Sequence, residues 1–232
     1  MALSSDYRTR GFSQTDKKPA LSGGFDVSHS SGFYIGNWNS NIDSAYYNGA
    51  NIEMDFYGGF KYPVGDVTLD IGAFYYYYPG SGRNSAKNFG RGVDEKEIYV
   101  AASYGPVTAK LYIPIGDFFS AQKNFGGKSA DGSIYLDISG SYDLGSGFGL
   151  IGHFGYQKLE GAAKLVQLNS SKLAKNYEDW KLGVTYTFAN GFVAGIAYID
   201  TSIDSADTNG FGASTTKNLY GATGVFSLSK TF

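Results

Sequence analysis

The sequence predicts an all-β protein, a transmembrane antiparallel up-and-down β-barrel of about twelve strands with both termini periplasmic. Three observations carry that prediction. Apolar and polar residues alternate with period two in segment after segment. The connections between segments alternate short and long. Aromatic residues collect at the ends of the apolar faces.

The alternation is plainest at 51–62, NIEMDFYGGFKY. Ile52, Met54, Phe56, Phe60 and Tyr62 share one face; Glu53, Asp55, Tyr57 and Lys61 share the other. Residues 67–77 repeat it, with Val67, Leu69, Ile71, Tyr75 and Tyr77 opposite Asp70, Phe74 and Tyr76. So do 97–104, where Ile98, Val100 and Tyr104 oppose Glu97 and Tyr99. Residues 107–115 set Val107, Leu111 and Ile113 against Lys110 and Tyr112. Ile134, Leu136, Ile138 and Tyr142 oppose Tyr135, Asp137 and Asp143, and Trp180, Leu182, Val184 and Tyr186 oppose Asp179 and Lys181. With the weaker segments the expected strands lie near 2–14, 18–29, 32–42, 50–62, 66–78, 95–105, 107–117, 133–144, 147–158, 177–188, 192–202 and 220–232. Their lengths suit a tilted strand crossing a bilayer, which takes about 9–11 residues.

Short turns fall at SSG (30–32), PVG (63–65), GP (105–106), GSG (145–147) and ANG (189–191). Long loops fall near 43–49, 79–94, 118–132, 159–176 and 203–219; TDKK (15–18) is the one connection that breaks the rule. A meander of this kind is how outer-membrane barrels are built, and an even strand number puts both ends on the short-turn side. No composition break divides the chain, so 1–232 is read as a single outer-membrane β-barrel domain.

Composition narrows the function classes. Charged residues are 17%, aromatics 17% and glycines 33 in number, with a net charge of -2, which leaves no basic footprint for nucleic acid. The absence of cysteine excludes disulfides, zinc–thiolate sites and thiol nucleophiles. The opening MALSSDYR has neither a basic nor an apolar leader region, and a signal peptide removed from the chain is expected. A soluble barrel would also alternate, burying its apolar face. The Tyr and Trp residues at strand ends favour lipid, because an apolar body with a polar tip settles at a membrane interface. Lipid then forces closure, since an open sheet edge leaves backbone groups unpaired.

The chain ends GVFSLSKTF, in which Phe226, Leu228 and Phe232 share the outward face, like the assembly signal of bacterial outer-membrane proteins; Lys230 snorkels from that face. Three stretches together, SDYRTRGFSQTDKKPALSGGFDVSHSSGFYIGNW, NIEMDFYGGFKY and VFSLSKTF, resemble the TorF-type porin family of proteobacterial outer membranes. The first stretch, residues 5–38, is the specific part. The resemblance implies an outer-membrane barrel and assigns neither substrate nor site residues.

On this phase the lumen candidates are Arg8, Arg10, Asp26, Glu53, Asp55, Lys61, Asp70, Glu97, Lys110, Asp137 and Lys181. With Asp6 and Asp179 added, eight inward acids face five inward bases, a weak lean toward cations; pairing across the lumen that cancels the charges is the alternative. Arg8 and Arg10 are expected to pair with Asp26 on the neighbouring strand, with an anion-binding step as the alternative. Tyr57, Phe74, Tyr76, Tyr99, Tyr112 and Tyr135 narrow the bore, and loops 118–132 and 159–176 are candidate constrictions. The expected function is passive diffusion of small hydrophilic solutes or ions. The expected partners are outer-membrane lipid, lipopolysaccharide and the barrel-assembly machinery, with no cofactor, no metal and no nucleic acid. A plugged structural or adhesive barrel is the alternative. An enzyme is disfavoured: His29 lies at a turn, His153 stands alone in the lumen, and no G-x-S-x-G motif occurs.

Overall fold

A computed structural model describes residues 1–82, 92–122, 126–165, 176–203 and 218–232. Among these, twelve antiparallel strands close on themselves: β1 (Ala2–Ser4), β4 (Ala20–Ser28), β5 (Phe33–Asn41), β6 (Ile52–Val64), β7 (Val67–Tyr77), β8 (Glu95–Tyr104), β9 (Val107–Pro114), β10 (Ile134–Gly145), β11 (Phe148–Lys158), β12 (Tyr177–Thr187), β13 (Phe192–Thr201) and β14 (Thr223–Lys230). Each pairs with its sequence neighbour in the wall, and β1 closes the ring between β14 and β4. Short 3-10 turns at Phe118–Ser120 and Gly161–Leu165 lie in the long loops. No helix among the described residues is long and apolar enough to cross a membrane.

The wall is inside out relative to a soluble barrel. Ile71 and Leu182 are each 60% exposed and Phe226 62%, whereas Glu97 is 0% and Asp179 2% exposed. Charges are buried only when something inside receives them, so the polar face looks into the lumen and the apolar face looks to lipid. At the C-terminal strand Lys230 lies over the rings of Phe192 and Phe232, its ammonium held beside the aromatic rim.

The first strand departs from expectation. The wall strand stops at Ser4, and residues 5–19 turn into the lumen. There β2 (Arg8–Thr9) and β3 (Phe12–Ser13) form a small hairpin of their own. Arg10 and Gly11, at φ +50° and +76°, make its tip; two successive positive φ values are what a tight two-residue hairpin turn requires. Because the wall strand ends at Ser4, the connection to β4 runs from 5 to 19. It is a long connection on the long-loop side, so TDKK is no exception to the alternation.

The hairpin crosses the bore. Tyr7 packs on Trp38 of β5 with ring centroids 4.9 Å apart. Arg10 Nη1 donates to Gln157 Oε1 of β11 at 3.0 Å. In the twelve-strand ring those two strands are six places apart, on opposite walls. Above it, on the long-loop side, Phe12 joins Ile42, Tyr46, Tyr47, Tyr78, Tyr177, Leu219 and Tyr220 in a buried apolar cluster. The long-loop half of the lumen thus has a packed core of its own.

Candidate functional site

The candidate site is the lumen between this hairpin and the short-turn end. Arg10 is its anchor. The guanidinium donates from Nη2 to both Glu97 oxygens, at 2.8 and 2.7 Å, and lies 4.4 Å from the Tyr135 ring centroid and 5.6 Å from that of Tyr112. The Tyr177 hydroxyl donates to the Arg10 carbonyl at 3.1 Å. Burial pulls the Arg10 pKa down, but the adjacent Glu97 carboxylate more than offsets it and keeps the guanidinium charged. Arg8 is tied to the hairpin and to the segment before β14: Nε meets Asp6 Oδ2 at 2.8 Å, and Nη1 donates to the carbonyls of Gly11 and Gly221 at 3.0 Å each. Asp6 in turn accepts from Ser13 at 2.6 Å and Thr15 at 3.1 Å. The expected pairing of Arg8 and Arg10 with Asp26 is therefore corrected. The turn at Ser5 carries both arginines off the wall, and Asp26 instead accepts from the Tyr57 hydroxyl at 2.6 Å.

Gly11 sits where nothing larger fits. A Cβ there would collide with Thr201 Cγ2 and come within 2.9 Å of Asp179 Cβ. The hairpin tip is thus pressed against β12 and β13 as well as β11.

Among the described residues, two cavities lie below the hairpin. The smaller, about 230 Å³, is bordered by Arg8, Arg10, Tyr112, Tyr135, His153 and Lys181. His153 is fixed on both ring nitrogens: Nδ1 is 3.2 Å from Asp137 Oδ2 and Nε2 is 2.8 Å from Asp179 Oδ1. Tyr135 donates to the other Asp179 oxygen at 2.9 Å. The larger cavity, about 670 Å³, is lined by Tyr7, Trp38, Tyr57, Phe74, Tyr76 and Tyr99, with Asp26, Asp55, Lys61, Asp70 and Lys110. Lys61 lies 4.9 Å from the Tyr34 ring centroid and Lys110 4.3 Å from that of Tyr99. Tyr34 donates to Asp70 at 2.8 Å and shares a hydrogen bond with Tyr99.

The wall candidates face the lumen as the alternation placed them, but they do not act as a simple sum. Asp6 is matched by Arg8, Glu97 by Arg10, and Asp137 and Asp179 by His153. Glu53 and Asp55, 1% and 4% exposed, have no cation in a salt bridge among the described residues. Glu95, 2% exposed, is an inward acid that the sequence reading passed over, although it shares Glu97's face one step nearer the loop. It accepts a hydrogen bond from the Phe119 backbone N–H. Phe119 itself packs toward Tyr76 and Tyr78 at centroid distances of 6.0 and 6.4 Å, so part of loop 118–132 does lean over the rim. Phe125 and most of the 159–176 loop lie outside the described residues. Among the described residues no group of three or more His, Cys, Asp and Glu side chains is arranged to hold a metal.

Over residues 1–232 the chain matches the family described as Bacterial protein of unknown function (Gcw_chp). The chain belongs to this family. No curated protein matches it. Among solved structures, the Gcw_chp chain is similar to the NanC porin, with a TM-score of 0.61 and 10% identity over 100% of this chain and 99% of that one. It is also similar to the KdgM porin, with a TM-score of 0.54 and 7% identity over the same shares, both alone and in a complex with disordered oligogalacturonate. At such identities the likeness establishes the fold: this is a barrel of the kind built by outer-membrane porins.

Proposed function

We propose that this Gcw_chp protein is an outer-membrane diffusion channel for small hydrophilic solutes, held in a low-conductance form by the hairpin at 5–19. The observation that carries this reading is the polar lumen beneath the hairpin, where two cavities bordered by charged side chains remain inside an apolar-walled barrel. A barrel needed only as a scaffold could fill that half with aliphatic side chains, as the smallest barrels fill theirs with side chains. The porin likeness and the TorF-type resemblance of residues 5–38 support the same assignment, as does the outward row Phe226, Leu228 and Phe232, 62%, 43% and 93% exposed. On this reading the apolar belt meets lipid and lipopolysaccharide, the terminal row addresses the assembly machinery, and both termini are periplasmic.

A weak cation preference belongs to the same proposal. It rests on Glu53 and Asp55 lacking partner cations rather than on a count of all lumen charges. No reaction is assigned. A general base needs a free ring nitrogen, and both nitrogens of His153 are occupied by carboxylates.

A second reading, a plugged barrel with a structural or adhesive role, draws on the hairpin crossing from β5 to β11. Planar-bilayer recording of the refolded protein in a KCl gradient separates the two. The channel reading expects discrete ohmic steps with a mildly cation-selective reversal potential. Silence from a barrel shown to be folded by heat-modifiable gel mobility supports the plugged one.

A further inference from the structure

We propose that the larger lumen cavity is a binding site for a small organic cation, an amine carried on a planar or apolar body, with its charge directed at Asp55. The inference deepens the channel reading by naming the class of solute its lumen would hold. Binding in detergent reads the site whether or not the barrel conducts.

The walls supply the first argument. Tyr7 and Trp38 meet at 4.9 Å, Tyr57 and Phe74 stack at 5.3 Å with planes 12° apart, and Phe74 and Tyr76 meet at 4.4 Å. All five of these rings border one cavity of about 670 Å³, within the size range of small-molecule pockets. Ring faces attract cations, most strongly where water is excluded.

The charge layout supplies the second. Toward the short-turn end the charges are already engaged. Asp70 takes hydrogen bonds from Tyr34, Asp26 takes one from Tyr57, and Lys61 and Lys110 lie over tyrosine rings. Toward the hairpin, strands β6 and β8 present Glu53, Asp55, Glu95 and Glu97, and the cation in contact there, Arg10, is committed to Glu97. The inner end therefore holds an excess of carboxyl groups over cations among the described residues, and the mouth is balanced.

The third argument is an unmet bond. Asp55 is 4% exposed and borders the cavity, yet among the described residues its Oδ1 has no hydrogen-bond partner; neither has Oε2 of Glu53 beside it. Buried carboxylate oxygens left unpaired cost more than ordinary polar groups.

The test uses a matched pair of probes, 2-phenylethylamine and 3-phenylpropionate, which share a ring and chain and carry opposite charge. Each is titrated into the detergent-folded protein in a Trp180→Phe background, so that Trp38, which borders the cavity, is the remaining indole. The expected result is a saturable change in Trp38 emission with the amine, at least about tenfold weaker with the carboxylate. Asp55→Asn should weaken amine binding by a similar factor of about ten. Equal response to both probes, no saturable response to the amine, or unchanged amine affinity in Asp55→Asn would each overturn the proposal. The probe comparison needs no lumen substitution, so it stands even if Asp55→Asn fails to fold. Amine binding by a protein that is silent in bilayers would sink the channel reading and keep this one.

Discussion

At the residue scale the lumen depends on a few committed contacts. Arg10 is the clearest. Its partner Glu97 is fully buried, so removing the guanidinium strands a charge. Arg10→Ala should cost about 3–5 kcal/mol, the usual penalty for breaking a buried pair from one side. The joint change Arg10→Met with Glu97→Leu should recover most of that loss, as read by urea unfolding in detergent micelles. Gly11→Ala should also destabilise, by at least about 1–2 kcal/mol from its left-handed backbone alone, with the collision against Thr201 added.

The buried phenols set an alkaline limit. Burial first, and then the Glu53 and Asp55 carboxylates, push Tyr7, Tyr47 and Tyr78 well above the ordinary tyrosine value. A folded-state pKa raised above the unfolded one gives stability that is intact below about pH 10 and lost as pH climbs toward the folded value. Phenolate absorbance from these three should therefore appear only together with unfolding above about pH 10. Early titration without unfolding would show that they are exposed.

At the element scale the wall was legible and the hairpin was not. Strand β6 was expected at 50–62 and runs from Ile52 to Val64; β12 was expected at 177–188 and runs from Tyr177 to Thr187. One face of each meets lipid and the other meets a polar lumen, and that contrast writes a period of two into the sequence. The segment 5–13 misled because Tyr7, Thr9 and Gly11 alternate with Asp6, Arg8 and Arg10 as a wall strand would. What told against a wall strand was the density of three charges in five residues, followed by Gly11 at a position where a tight turn needs one. The loop cluster of Ile42, Tyr46, Tyr47, Tyr78, Leu219 and Tyr220 had no such signal, because irregular backbone imposes no repeat on its buried residues. The hairpin also makes the sharpest prediction at this scale. Replacing residues 6–14 with a short Gly-Ser link should leave heat-modifiable mobility intact, since β1 and β4 keep their own pairing, while solute flux into liposomes rises.

At the scale of the whole molecule, a membrane barrel requires an apolar belt in contact with lipid. Leu182, mid-strand and 60% exposed, is a direct probe. Leu182→Arg should cost about 2–4 kcal/mol if that position lies near the bilayer centre, whereas a soluble barrel would accept an exposed arginine at almost no cost. On the proposed reading the lumen sets the selectivity on the other side of the same wall. Among the described residues ion pairs match Asp6, Glu97, Asp137 and Asp179, and the proposed cation preference comes from Glu53 and Asp55, which have no such partner there.

The proposed channel lies beneath a hairpin that throttles it. The most direct measurement compares single-channel conductance of the full chain with that of the 6–14 replacement, both refolded and recorded in the same KCl gradient. Small ohmic steps are expected for the full chain and steps several times larger for the replacement. Equal conductance in the two would show that the hairpin does not control the path. Silence from both, with folded barrels on the gel, would contradict the channel itself.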